Sequence, residues 1–218
     1  LLVDEAQDYN AFQHAILKKM YPYASFTVLA DPRQSVFPGL GLKTEEELLS
    51  LYPGCHSTKL ECSYRSTGPI CALASALTDS KIDYFERGGE IPQVVTGAPA
   101  PQLLSDIWDS GELADYQTVG IICSTAVRAE MFFQSLSFPA TLLTSPEQVL
   151  QSGIVILPAA LSKGLEFDAV IADCSDISDP NMLYLLCTRA LHRLYLLCEK
   201  EIPPVLKRAQ QFWHKRGI

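Results

Sequence analysis

Three short apolar runs in this chain stop at an aspartate. They are Leu1-Leu2-Val3 before Asp4, Phe26-Thr27-Val28-Leu29-Ala30 before Asp31, and Ala169-Val170-Ile171-Ala172 before Asp173. Runs this short, with β-branched residues and no polar alternation, are the signature of strands buried on both faces, which occur in parallel sheets covered by helices. In open sheets of that kind the ligand crevice lies at the carboxyl ends of the strands. A strand end is therefore where a functional carboxylate is expected, and Asp4-Glu5 is the first candidate.

The segments between such runs carry helical periodicity. Phe12, Ala15, Ile16 and Lys19-Met20 predict an amphipathic helix over about 9–20, with Gln7 and Asp8 as candidate caps. Pro32 and the Pro38-Gly39 pair break the chain next. A short acidic helix over about 44–52 is expected to be capped by Thr44 with Glu47 three residues on. A short strand over 59–62 leads to Tyr64-Arg65-Ser66 and a helix from Pro69 to about Thr78. Strands follow at Val94-Val95, 119–123, 140–143, 154–157, 169–172 and 193–198. Helices are expected over about 102–114, through Phe132, Phe133 and Leu136, over about 180–190, and over 203–216, where the polar face is basic (Lys207, Arg208, Lys215, Arg216). Alternating strand and helix means an α/β fold with a mostly parallel sheet. A boundary near residue 58 separates two strands of one sheet from a full set for another. Two strands close no core, so residues 1–58 are expected to be the end of a larger domain.

Bulk properties narrow the classes. With 218 residues the chain fills one large domain, or one plus part of another. No apolar run approaches the ~20 residues of a membrane span, and no signal pattern opens the chain, so a cytoplasmic protein is expected. Seven singly placed cysteines in mostly apolar company fit reduced thiols better than disulfides or a metal site. The net charge of −8 argues against strong binding of nucleic acid by this segment alone.

The chemistry-bearing residues suit phosphoryl transfer, which needs a metal-holding Asp, a group that orients water, and cations that neutralise phosphate charge. Asp4 and Glu5 match the first two, Gln34 lies three residues past Asp31, and Arg65, Arg189 and Glu166 sit at element ends or turns. Singly, each also reads as a surface turn, a cap or a solvated charge. A glycine-rich phosphate loop ending in Lys-Ser or Lys-Thr does not occur in these residues.

Their order is more specific. Asp-Glu-Ala-Gln-Asp (4–8), Ala-Asp-Pro-Arg-Gln-Ser-Val-Phe (30–37), Ser-Tyr-Arg-Ser (63–66), Ser-Lys-Gly-Leu-Glu-Phe-Asp (162–168) and Leu-Cys-Thr-Arg-Ala (186–190) resemble motifs II to VI of the UvrD/PcrA/Rep group of superfamily 1 helicases. The resemblance implies two RecA-like motor domains that clamp ATP and Mg²⁺. Residues 1–58 would end the first domain and 59–218 would form the second. By the same resemblance Asp4 would hold Mg²⁺, Glu5 polarise the attacking water, Gln7 read the γ-phosphate end, and Gln34 link phosphate state to the nucleic-acid track. Arg65 and Arg189 would be arginine fingers, with Gly164 and Glu166 on the nucleotide side near the ribose. The phosphate-gripping motif I is missing, so the chain is expected to be a C-terminal portion inactive alone, its longer parent an ATP-dependent DNA helicase. Two departures stand out. Pro158 and Ala160 replace the Thr and His with which the family touches single-stranded DNA. With Leu157 to Asp168 and Cys187 to Leu194, they resemble the HelD branch, whose members bind bacterial RNA polymerase and help strip it from nucleic acid. RNA polymerase is thus an alternative partner to DNA.

Overall fold

A computed structural model describes residues 1–35, 41–42, 44–60, 62–78, 83–85, 87–148 and 152–215, with side chains to residue 210. The expected break at Pro38-Gly39 and the cations Lys215 (as a side chain) and Arg216 lie outside what is described. The chain divides into two compact units, Leu1–Leu60 and Glu61–Ile218.

In the first unit, β1 (Leu2–Val3) pairs in parallel with β2 (Thr27–Val28), Leu2 opposite Thr27 and Val3 opposite Val28. Helix α1 (Ala11–Met20) connects them. It starts later than periodicity suggests, because the cap is Asn10 and not Asp8. The Asn10 side chain accepts from Gln13 N, and the Gln13 side chain returns a bond to Asn10 N. Asp8 instead closes a 3-10 turn, Ala6–Asp8. Helix α2 (Glu45–Leu51) carries the expected box between Thr44 and Glu47. The buried set among the described residues here is small: Val3, Ala6 and Leu42 with the polar Gln7 and His14. The apolar stripe of α1 faces outward, Phe12 being 73% exposed.

The second unit is built on a six-stranded parallel sheet ordered β5-β10-β9-β6-β8-β7. Its strands are β5 (Gln93–Thr96), β6 (Thr118–Cys123), β7 (Thr141–Leu142), β8 (Gly153–Pro158), β9 (Phe167–Asp173) and β10 (Ala190–Cys198). Side chains alternate between two cores, as a strand's period of two requires. Ile122, Val155, Leu157, Val170, Ala172, Leu194 and Leu196 pack with α3 (Gly68–Leu77), α6 (Pro180–Cys187) and α7 (Pro204–Lys215). Ile121, Cys123, Ile156, Ala169, Ile171, Tyr195 and Leu197 pack with α4 (Ala100–Asp109) and α5 (Ala126–Ser135). Gly120 is fixed by packing, since a Cβ there would lie 2.6 Å from the Phe167 ring.

Helix α4 begins at Ala100, two residues before its expected start. Pro101 is tolerated in a first turn, where its missing N–H has no partner to lose, and Ala100 N is capped by Glu199 Oε1 at 3.0 Å. The strand expected over 59–62 is β3 (Cys62–Ser63), paired in parallel with an unforeseen β4 (Asp83–Tyr84). All seven cysteines are free, and Cys71, Cys123, Cys174, Cys187 and Cys198 are buried. No helix among the described residues is long and apolar enough to cross a membrane.

Candidate functional site

In the first unit the two strand ends are laced together. Leu29 N donates to Val3 O at 2.8 Å and Ala6 N to Leu29 O at 2.9 Å. Between those anchors the chain reverses at Asp4 and Glu5. Glu5 takes the left-handed conformation, φ 51° and ψ 38°, the one non-glycine residue to do so among the described residues. Such a backbone costs about 1–3 kcal/mol and marks sites where the surroundings force it.

Four of the expected or neighbouring groups form one hydrogen-bonded chain. Gln7 Nε2 donates to Glu5 Oε2 at 2.6 Å, Asp31 N donates to Gln7 Oε1 at 3.0 Å, and Gln34 Nε2 donates to Asp31 Oδ2 at 3.0 Å. Asp31 caps the 3-10 turn Pro32–Gln34 and pairs with Arg33, Nε to Oδ1 at 2.8 Å. Burial pushes its carboxyl upward, but the bonds and charge of Arg33 and the bond from Gln34 outweigh this and hold it below the ordinary value. Gln7 is fully buried, so it bridges the two strand ends from inside. Gly41 lies against it: a Cβ at 41 would sit 2.0 Å from Gln7 O. On the open side, Asp4, Glu5, Asp8, Tyr9 and Gln13 line a cavity of about 300 Å³. Gln7 and Gln34 are not among its lining residues.

In the second unit the structure brings together Arg65, Glu166 and Arg189, which lie far apart in sequence. Arg65 Nη2 and Glu166 Oε1 form an ion pair of 2.9 Å, both half-exposed. The segment after Arg65 is pinned to the start of β10 by Ser66 Oγ donating to Ala190 O at 2.6 Å and Thr67 N to Leu191 O at 3.1 Å. Arg189 is 1% exposed. Its guanidinium turns inward, donating to Leu185 O at 3.3 Å, Leu165 O at 3.2 Å and Thr188 Oγ1 at 3.2 Å. Arg189 O in turn accepts from Phe167 N at 3.0 Å. Gly164, in the turn before Glu166, has φ 75°, a conformation that glycine takes without penalty. The three charged residues thus differ in kind: Arg65 and Glu166 meet water, while Arg189 knits the Glu166 turn to the end of α6.

Sequence reasoning missed a second charged cluster, at the carboxyl ends of β9 and β10. Arg128 on α5 grips Asp173 through two nitrogens and lies 3.6 Å from both Asp176 and Glu199. Asp173 Oδ1 also accepts from Ser175 Oγ at 2.8 Å. The signal was present in the strand-ending Asp173, but its partner lies 45 residues away. Asp168 is likewise structural: its Oδ2 accepts from Gln117 N, Thr118 N and Thr118 Oγ1.

No protein-family profile matches the chain. Among curated proteins it is 36% identical over 90 residues to the ATP-dependent DNA helicase Rep of Escherichia coli K12, covering 40% of this chain and 13% of that protein. It is 33% identical over 90 residues to the Rep helicase of Buchnera aphidicola subsp. Baizongia pistaciae, again 40% and 13%. To DNA helicase II of Escherichia coli K12 it is 32% identical over 83 residues, 37% of this chain and 12% of that one. The matched segment therefore spans about one eighth of these relatives. Among solved structures, the C-terminal domain of a possible DNA helicase of Lactobacillus plantarum WCFS1 matches with a TM-score of 0.55 and 25% identity, covering 67% of this chain and 94% of that domain. The helicase of PRRSV shares the fold, with a TM-score of 0.51 at 16% identity over 90% of this chain and 34% of that one. The architecture is the RecA-like parallel sheet flanked by helices, and the sequence kinship is with Rep- and UvrD-type helicases.

Proposed function

We propose that this chain is the C-terminal portion of an ATP-dependent superfamily 1 DNA helicase and that its residues serve ATP hydrolysis coupled to movement on nucleic acid. The observation that carries this reading is the Glu5–Gln7–Asp31–Gln34 chain of hydrogen bonds behind an open cavity lined by the carboxylates of Asp4, Glu5 and Asp8. Kinship with Rep and DNA helicase II supports the same class.

The donor set suits Mg²⁺ bound together with phosphate. Such ions take one or two carboxylates and leave the remaining positions to water and phosphate oxygens. Asp4 offers an exposed carboxylate at a strand end, with Oδ1 oriented by Glu5 N at 2.8 Å. No group of three or more His, Cys, Asp or Glu among the described residues could hold an ion alone. Asp4 would hold Mg²⁺, which when bound neutralises phosphate charge. Glu5 takes up the proton of the attacking water. Gln7 holds the Glu5 carboxylate, and Gln34 feeds into the same chain through Asp31, so a shift at Gln34 is transmitted to Glu5. Arg65 supplies positive charge to the phosphates, Arg189 acts as the second arginine once it exchanges its carbonyl contacts, and Gly164 and Glu166 serve the nucleotide side.

A second reading is a HelD-type ATPase that releases RNA polymerase from nucleic acid. Pro158, which ends β8, and Ala160 beside it offer no side-chain donor to a DNA strand, and the net charge is −8. ATP turnover by the full-length protein separates the two. A helicase-type motor is expected to be stimulated about tenfold or more by single-stranded DNA, a lowering of the barrier by about 1.4 kcal/mol. Turnover unmoved by DNA, with co-purification of RNA polymerase, would reject the helicase reading in favour of the second.

A further inference from the structure

The left-handed backbone at Glu5 has to be held by neighbours, and the residue on its carboxyl side is held at both ends. Ala6 is fully buried. Its N–H donates to Leu29 O, and its carbonyl lies 3.1 Å from Nε2 of His14 and 3.2 Å from Tyr9 N. His14 is also fully buried and is the inward-facing residue of α1. Its Nδ1 lies 2.9 Å from the Tyr52 hydroxyl, at the end of α2. The Tyr9 and Tyr52 rings meet the imidazole edge-on, with centroids at 5.8 and 5.6 Å. A carbonyl only accepts, so Nε2 must carry hydrogen; in the neutral ring Nδ1 is then the acceptor and Tyr52 O–H the donor. A single tautomer thus links α2, α1 and the turn that follows Glu5.

We infer that His14 is a positioning residue for Glu5: by fixing the Ala6 carbonyl it holds the turn that presents the Glu5 carboxylate to the cavity. The inference rests on the reading of Glu5 as the group that handles the attacking water. His14 acts through the backbone, and it is not one of the residues lining the cavity. Its loss should therefore lower the rate of the chemical step and leave nucleotide affinity nearly untouched.

In the full-length protein, His14→Ala is expected to lower kcat by about 10- to 100-fold, the scale of a misplaced catalytic group, with KM for ATP within about threefold. His14→Gln, which keeps an N–H donor, should recover most of the loss. Tyr52→Phe, which keeps the ring and removes only the hydroxyl, should lower kcat by less. Nitrogen-15 shifts of the His14 ring in this chain, read without any variant, should report the Nε2–H tautomer. The inference is overturned by an Nδ1–H ring, by His14→Ala turning over as fast as wild type per folded molecule, or by folded His14→Gln recovering nothing. A wild-type protein with no ATP turnover would instead remove the reading of Glu5 on which the inference stands.

Discussion

Arg65 and Arg189 look equivalent as residues in the sequence, since each follows a short element and neither has a carboxylate beside it. Their surroundings make them different. Arg65 is half-exposed and pairs with a half-exposed Glu166, an arrangement worth about 0–1 kcal/mol. Arg189 places its planar fork on two carbonyls and a hydroxyl in the interior. A lysine carries one point charge and cannot span that spread of acceptors. Arg189→Lys is therefore expected to destabilise the second unit by about 2–4 kcal/mol, the cost of leaving buried acceptors unmet, and Arg65→Lys by under about 1 kcal/mol. Urea denaturation of this chain measures both; equal losses would contradict the difference in their roles. The residue types at both positions were legible from motif order. Burial of the guanidinium was not, because it depends on the Leu165 carbonyl, 24 residues away, which only folding brings near.

Among elements, the strands of the sheet were the most legible. Continuous apolar runs predicted β6, β8, β9 and β10, and all four are buried on both faces. Helix ends were less so. α1 starts after its Asn10 cap, later than the expected start near residue 9, and α4 starts across a proline, with Glu199, 99 residues on, capping it. Periodicity also misled about direction: the stripe Phe12, Ile16 and Met20 marks the helix correctly, but the buried residue of α1 is His14. The Arg128–Asp173 pair shows the same limit, since it joins α5 to the end of β9 and no local pattern foretells it. Asp173 is fully buried, while the Arg128 side chain keeps 17% of its surface exposed. Removing one partner of a buried pair strands the other. Asp173→Ala should cost about 2–4 kcal/mol, reduced from the full penalty because Asp176 and Glu199 stay 3.6 Å from Arg128. Denaturant midpoints of this chain report it, and a loss below about 1 kcal/mol would contradict a structural role for the pair.

For the whole molecule, the two units contrast in how they are built. The second has a continuous core on each side of a six-stranded sheet. The first rests on two paired residues in each of two strands and on a small buried set rich in polar groups. Hydrogen bonds lace its two strand ends around that set. Motif order singled out Asp4 and Glu5; the left-handed turn at Glu5 and the bridge through Gln7 to Asp31 were not legible, since both arise from the pairing of β1 with β2. The central claim is that Glu5 serves hydrolysis while ATP is bound through other groups. It is tested most directly by Glu5→Gln in the full-length protein, with ATP affinity and turnover measured on the same sample. Affinity within about threefold of wild type and turnover lower by about 100-fold or more is the result expected; turnover equal to wild type would contradict the account.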